Sequence, residues 1–141
     1  MNFRILETRL FTTDKTVLKK EEIIASLGMR GPYVFTSAKI DEVVTRTSAG
    51  NYALGYTKGD GTFIVQYVGR SDADLNKELK ARLTDKYKKF KYSYATSRKA
   101  AFEKECHNYH DFGGSKKLDN KVHPDRPNGT NWKCPVCDIF D

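Results

Sequence analysis

The sequence predicts an α/β (α+β) domain: a small mixed sheet of about three strands, with helices packed on it. Three observations carry that expectation. Two apolar, aromatic-rich runs, 51–56 and 62–69, flank the glycine-rich stretch Lys58-Gly59-Asp60-Gly61 and read as a β-hairpin. Leu75, Leu79 and Leu83 recur every four residues, as on one face of a helix. Lys89-Phe90-Lys91-Tyr92-Ser93-Tyr94 alternates strictly, with rings on one side and lysines on the other, as a strand does.

Taken in order, residues 1–20 are mixed: Phe3, Ile5, Leu6, Leu10 and Phe11 allow a strand or a short helix. Residues 20–27 have helical spacing and end at Gly28, a C-cap residue type. Gly31-Pro32 is a turn, and Pro32 to Thr36 reads as a short strand. Ile40 to Val44 fits either a helix or an extended segment. The hairpin follows, then Arg70 to Asp74 as a cap, a helix over 74–83 and the alternating strand. Thr96 and Ser97 are N-cap types. Ala100, Ala101 and Phe102 then favour a helix over Ser97–His110, with no breaker before Gly113-Gly114. The chain divides into an N-terminal extension (1–45), a core (46–122) and a C-terminal tail (123–141), with no repeat or low-complexity segment.

At 141 residues, the chain is long enough for one cored domain. Its 25 Lys and Arg against 18 Asp and Glu leave a net charge of +7, which suits a nucleic-acid partner or simply a solvated basic face. Lys86, Lys88, Lys89 and Lys91 are the candidate phosphate contacts, and alternation sends Phe90, Tyr92 and Tyr94 toward the core. No apolar run is long enough for a membrane helix, and the start of the chain lacks a signal-peptide apolar region, so a cytoplasmic protein without a membrane partner is expected. The three cysteines, two of them in Cys134-Pro135-Val136-Cys137, argue in a reducing cytosol for metal rather than a disulfide.

On the 97–110 helix, Glu105 shares a surface line with Tyr109, and Cys106 shares the neighbouring line with His110. A zinc knuckle at Cys134 and Cys137 needs two further ligands. Cys106 and His110 supply them and would pin the Pro/Gly-rich tail to the helix. His123 stands in reserve, and His107 points elsewhere. The strand–motif–helix setting of a redox Cys-x-x-Cys is absent.

Gly50-Asn51-Tyr52 and Tyr67-Val68-Gly69 lie on one hairpin, followed by a Leu-rich helix, a third strand and a helix bearing Glu105 four residues after Ala101, with Asn120 beyond. In this the chain, over about residues 48–120, resembles the GIY-YIG nuclease superfamily. The tail, with Leu118-Asp119-Asn120, His123-Pro124, Trp132 and the two cysteines, is similar to small members of that superfamily.

The resemblance implies a metal-dependent endonuclease acting on DNA. Tyr52 would position or deprotonate the attacking water, and Tyr67 would orient water or phosphate. Gly69 would allow close backbone approach, and Asn120 would close the core by hydrogen bonds. Glu105 would hold one Mg²⁺ or Mn²⁺, with Glu103 the weaker rival. The family's arginine before the second leucine of the Leu-rich helix is here Glu78. Arg82, then Arg70, are the substitutes able to grip a phosphate. That departure motivates an alternative, a non-catalytic, zinc-stabilised nucleic-acid-binding module. A protein-interaction domain is the third reading.

Overall fold

A computed structural model of the chain describes residues 6–7 and 26–141. The elements are β1 (Leu6–Glu7), β2 (Arg30–Val34), α1 (Ser37–Val43), β3 (Gly50–Thr57), β4 (Phe63–Ser71), α2 (Leu75–Ala81), β5 (Lys89–Tyr94), α3 (Arg98–Asp111) and α4 (Gly114–Lys117). The expected helix over 20–27 and most of the expected element in 1–20 lie outside the described residues.

Local chemistry accounts for the helix starts. Thr36, Asp74 and Ser97 each hold extended backbone and accept, through a side-chain oxygen, a hydrogen bond from a first-turn N–H: Lys39, Lys77 and Ala100 respectively. Phe90 and Tyr92 are buried as alternation requires. The Tyr92 hydroxyl donates to the Val43 carbonyl at 2.8 Å, while Tyr94 Oη accepts from the Thr45 N–H at 3.0 Å, so β5 anchors the end of α1.

The strands form one antiparallel sheet in the order β1-β4-β3-β5-β2, with four full strands and the two-residue β1 at the edge. This corrects the expectation of a mixed sheet of three strands. After the β3–β4 hairpin, α2 carries the chain back across β3, so β5 runs antiparallel to β3. β2 then adds to the outer side of β5, also antiparallel. Residues 30–44, expected in an N-terminal extension, therefore build the sheet and pack α1 on it. Each face of the sheet has its own core. Tyr52, Leu54, Phe90 and Tyr92 meet Ile40, Leu75 and Leu79 on one face. Ala53, Val65 and Val68 meet Tyr109, Phe112 and Leu118 on the other.

One irregularity decides what faces what. Leu54 pairs with Tyr67 but Gly55 pairs with Val65, so Gln66 is an extra residue in β4. Without it, Val65 and Tyr67 would share a face. The bulge turns Tyr67 to the side of Tyr52 and returns Val68 and Arg70 to the side of α3. The bulge needs a glycine opposite, because a Cβ on Gly55 would come within 1.8 Å of the Ile64 carbonyl oxygen.

Candidate functional site

Tyr52 and Tyr67 stack with ring centroids 6.4 Å apart and planes 24° from parallel. Gly69, the cross-strand partner of Tyr52, leaves room for that ring: a Cβ there would lie 2.3 Å from the tyrosine Cζ and Oη. Tyr52 is only 1% exposed, and its hydroxyl donates to Glu78 Oε2 at 2.8 Å. Arg82 Nε donates to the same oxygen at 3.0 Å, and its guanidinium lies 5.9 Å from the Tyr67 ring centroid. Glu78 lies on α2 and Arg82 is its C-cap four residues on, so helical spacing sets this pair. Burial first, then the Glu78 charge, raises the Tyr52 pKa far above the ordinary phenol value, so Tyr52 is a neutral donor. Burial also raises Tyr67, though its side chain is half-buried and reaches solvent.

Across the sheet, Arg70 Nη1 donates to Glu105 Oε1 at 2.6 Å and Arg70 Nε to Asp72 Oδ1 at 2.8 Å. Its guanidinium also sits over Phe102, 5.3 Å from the ring centroid. Burial pushes the Glu105 pKa up to about 7 despite Arg70, and the nearby Asp72 and Glu78 charges push the same way. Glu103, its rival two residues earlier, is only partly buried. Asn51 faces away from Tyr52, as its place in the strand implies. It is fully buried, and Nδ2 donates to the Ala101 carbonyl at 2.9 Å, which ties α3 to β3.

Asn120 also finds a defined place. Its Oδ1 accepts from the Val68 N–H at 3.0 Å and its Nδ2 donates to the Val68 carbonyl at 2.8 Å, while the Asp119 N–H donates to the Gln66 carbonyl at 2.7 Å. Residues 119–120 thus satisfy the outer edge of β4 beyond the short reach of β1, as a further strand would.

The lysines separate into two kinds. Lys86 and Lys88 are exposed, and Lys86 Nζ lies 3.2 Å from Asp119 Oδ2. Lys89 is partly buried. Lys91 is 4% exposed, with its ammonium 5.5 Å from the Phe63 ring centroid. The expectation that Lys91 presents a phosphate contact is corrected accordingly.

The tail forms a separate cluster. One ligand atom from each of His110, His123, Cys134 and Cys137 lies within 4.8 Å of the others. His110 Nε2 and His123 Nε2 are 3.1 Å apart, and Cys137 Sγ is 3.4 Å from His123 Nε2. A tetrahedral zinc site with ordinary Zn–N and Zn–S bonds places its ligand atoms ~3.3–3.8 Å apart, so this cluster needs little rearrangement. The donor chemistry fits as well. His123 Nδ1 lies 2.8 Å from the Pro124 carbonyl, which can only accept, so Nδ1 carries the proton and Nε2 keeps its lone pair. Burial raises the Cys134 thiol pKa. The N–H groups of Val136 and Cys137 and the neighbouring thiols outweigh it and leave Cys134 below the ordinary value.

The expected set differs from this by one ligand. Cys106 is fully buried against Phe102 and Cys134, with Trp132 and Phe140 around them. Burial raises its pKa, and its hydrogen bond to Cys134 adds to that. His123 takes the fourth place. His107 is exposed, as expected.

Sequence reasoning passed over Glu78 and Asp72, the carboxylates that bind Arg82 and Arg70. The Glu78–Arg82 spacing was the available signal. Tyr52, Tyr67, Glu78 and Arg82 thus gather on one face of the sheet, and Arg70, Asp72 and Glu105 on the other, both sets reached from β4. No family model, curated protein or solved structure matches the chain. No helix among the described residues is long and apolar enough to cross a membrane.

Proposed function

We propose that the chain is a metal-dependent endonuclease that hydrolyses DNA phosphodiester bonds, of the GIY-YIG type its sequence resembles. The observation that carries this reading is the stacked Tyr52–Tyr67 pair joined to Glu78 and Arg82, with Arg70 and Glu105 reached from the same stretch of β4.

The residues divide the work by exposure. Tyr52 is too buried to touch a substrate and acts through Glu78. Its hydroxyl and the Arg82 guanidinium both bond to Oε2, which leaves Oε1 to accept the proton of an attacking water. The water oxygen then bonds to phosphorus as the ester bond to the leaving oxygen breaks. Tyr67 reaches solvent and supplies a hydroxyl donor to a non-bridging oxygen. Arg82, half-exposed, adds positive charge at the phosphate.

Glu105 is the proposed ligand of Mg²⁺ or Mn²⁺. It is a buried carboxylate whose ionised form burial disfavours more than Arg70 favours it, and a divalent cation would favour that ionised form. Such an ion, when bound, neutralises the phosphate and stabilises the leaving oxygen. His110, His123, Cys134 and Cys137 would hold a structural zinc. That zinc would fasten the tail to α3 one turn beyond Glu105 and keep the helix in place. Lys86 and Lys88 supply sequence-independent attraction for DNA.

A non-catalytic, zinc-stabilised nucleic-acid-binding module is the second reading. The observation that favours it is the Arg70–Glu105 contact at 2.6 Å, which occupies the proposed metal ligand. Incubating the zinc-loaded protein with plasmid, branched and single-stranded DNA, with and without Mg²⁺ or Mn²⁺, separates the two. Metal-dependent cutting supports the nuclease, and salt-sensitive binding without cutting supports the module.

A further inference from the structure

Beside Tyr67, between β3 and the turn that follows α2, lies a cavity of about 320 Å³ lined by Leu54, Tyr67, Arg82, Leu83, Thr84 and Tyr87. Its walls are of two kinds. Leu54 and Leu83 offer apolar carbon, and Leu83 is 38% exposed. Tyr67 and Tyr87 offer ring faces, tilted at 41° with centroids 6.2 Å apart. The Tyr87 hydroxyl donates to Asp119 Oδ2 at 3.0 Å, which fixes that ring from the far side. Arg82, half-exposed, stands in the wall, and Lys86 pairs with Asp119 with its ammonium 5.6 Å from the Tyr87 ring centroid. The cavity shares Tyr67 and Arg82 with the tyrosine–carboxylate site.

We propose that this cavity receives one nucleobase of a single-stranded or locally opened nucleic acid, from the nucleotide next to the phosphate held at Tyr67 and Arg82. The inference rests on the nucleic-acid reading of that site and adds the form of its substrate. Size favours a single nucleotide, since the cavity lies at the lower end of the ~300–1,000 Å³ range of small-ligand pockets. Flat rings and aliphatic carbon suit a base, whose faces are apolar whatever its sequence. The Arg82 guanidinium in the wall matches the phosphate that must follow the base into place and disfavours an apolar peptide as the occupant. A base within an intact duplex is stacked on both sides and must leave the stack to enter.

The test measures affinity apart from cleavage, by fluorescence anisotropy with zinc-loaded full-length protein, without Mg²⁺ or Mn²⁺, at low salt. One labelled oligonucleotide is abasic throughout, and the other carries a single central thymine. The native protein is expected to bind the thymine-bearing strand about tenfold more tightly, the scale of one base stacked on an aromatic side chain. Thr84→Trp, on an exposed turn, fills the cavity and should abolish that preference while leaving the abasic affinity unchanged. Leu83→Ser, which shortens a wall without filling the cavity, should reduce it. Equal native affinity for the two strands, a preference that survives Thr84→Trp, or binding of neither strand would overturn the proposal. A base preference in a protein that cuts nothing would sink the nuclease and keep the pocket, and cutting without a base preference would do the reverse.

Discussion

The Tyr52 hydroxyl donates to Glu78 Oε2 at 2.8 Å, and Arg82 Nε donates to the same oxygen at 3.0 Å. Glu78 draws in Arg82 from the C-cap of α2, so a guanidinium faces the tyrosine pair, with a carboxylate between them. If that carboxylate takes the proton of the attacking water, Glu78→Gln keeps its shape and loses its basicity. The expected result is a ~100-fold lower single-turnover cleavage rate. DNA affinity should be unchanged or slightly higher, because one negative charge is removed. An unchanged rate would assign the proton to another group.

The metal cluster distinguishes two ligand sets by a simple count. His123→Ala and Cys137→Ser should each lower bound zinc well below one ion per chain, measured by elemental analysis after dialysis. Cys106→Ala should retain a full ion and cost ~1 kcal/mol of stability through lost packing beneath the knuckle. Full zinc in His123→Ala together with loss in Cys106→Ala would restore the set suggested by helical spacing alone.

Much of the scaffold was legible in local sequence. The alternation of 89–94 matches β5, Ser97 caps α3, and the 75/79/83 leucines lie along and just beyond α2. The unread parts depend on distance and reach. Pro32 to Thr36 reads as a strand after a turn at Gly31-Pro32, whereas β2 runs from Arg30 to Val34 through that turn, and nothing local says that it adds to β5. The extra residue at Gln66 turns Tyr67 to the Tyr52 face, and Gly55 is its one sequence trace. Cys106 and His110 share a line on α3, but only the His110 imidazole joins His123, Cys134 and Cys137, while the Cys106 thiol bonds to Cys134 from the buried layer of Phe102. Lys91 alternates correctly but is buried beside Phe63 and Gly31, contacts far from it in the chain.

Asn120 binds both backbone groups of Val68 while 8% exposed, so its loss leaves a buried N–H and carbonyl without partners. Asn120→Ala should destabilise the protein by ~2–4 kcal/mol. Equilibrium denaturation would show it, with zinc content unchanged.

Glu105 gives the stability a pH dependence of defined sign. Its pKa rises from 4.5 to about 7 on folding, so the protonated side chain favours the folded state. The contribution is complete below pH ~4.5 and is lost as pH rises through about 7, with a slope of up to ~1.4 kcal/mol per pH unit between them. Denaturation from pH 5.5 to 8 with excess zinc, native against Glu105→Gln, isolates the effect. Native stability should fall relative to the variant as pH rises, and a parallel pair of curves would contradict it.

The most direct test compares DNA cleavage by the native protein and by Glu105→Ala, both with Mg²⁺ or Mn²⁺ and with equal bound zinc. The account predicts cutting by the native protein alone, a loss of at least ~100-fold in the variant, with zinc and fold intact. Equal cutting by both proteins would contradict it by placing the catalytic metal elsewhere, and equal inactivity with salt-sensitive binding would make the chain a binding module.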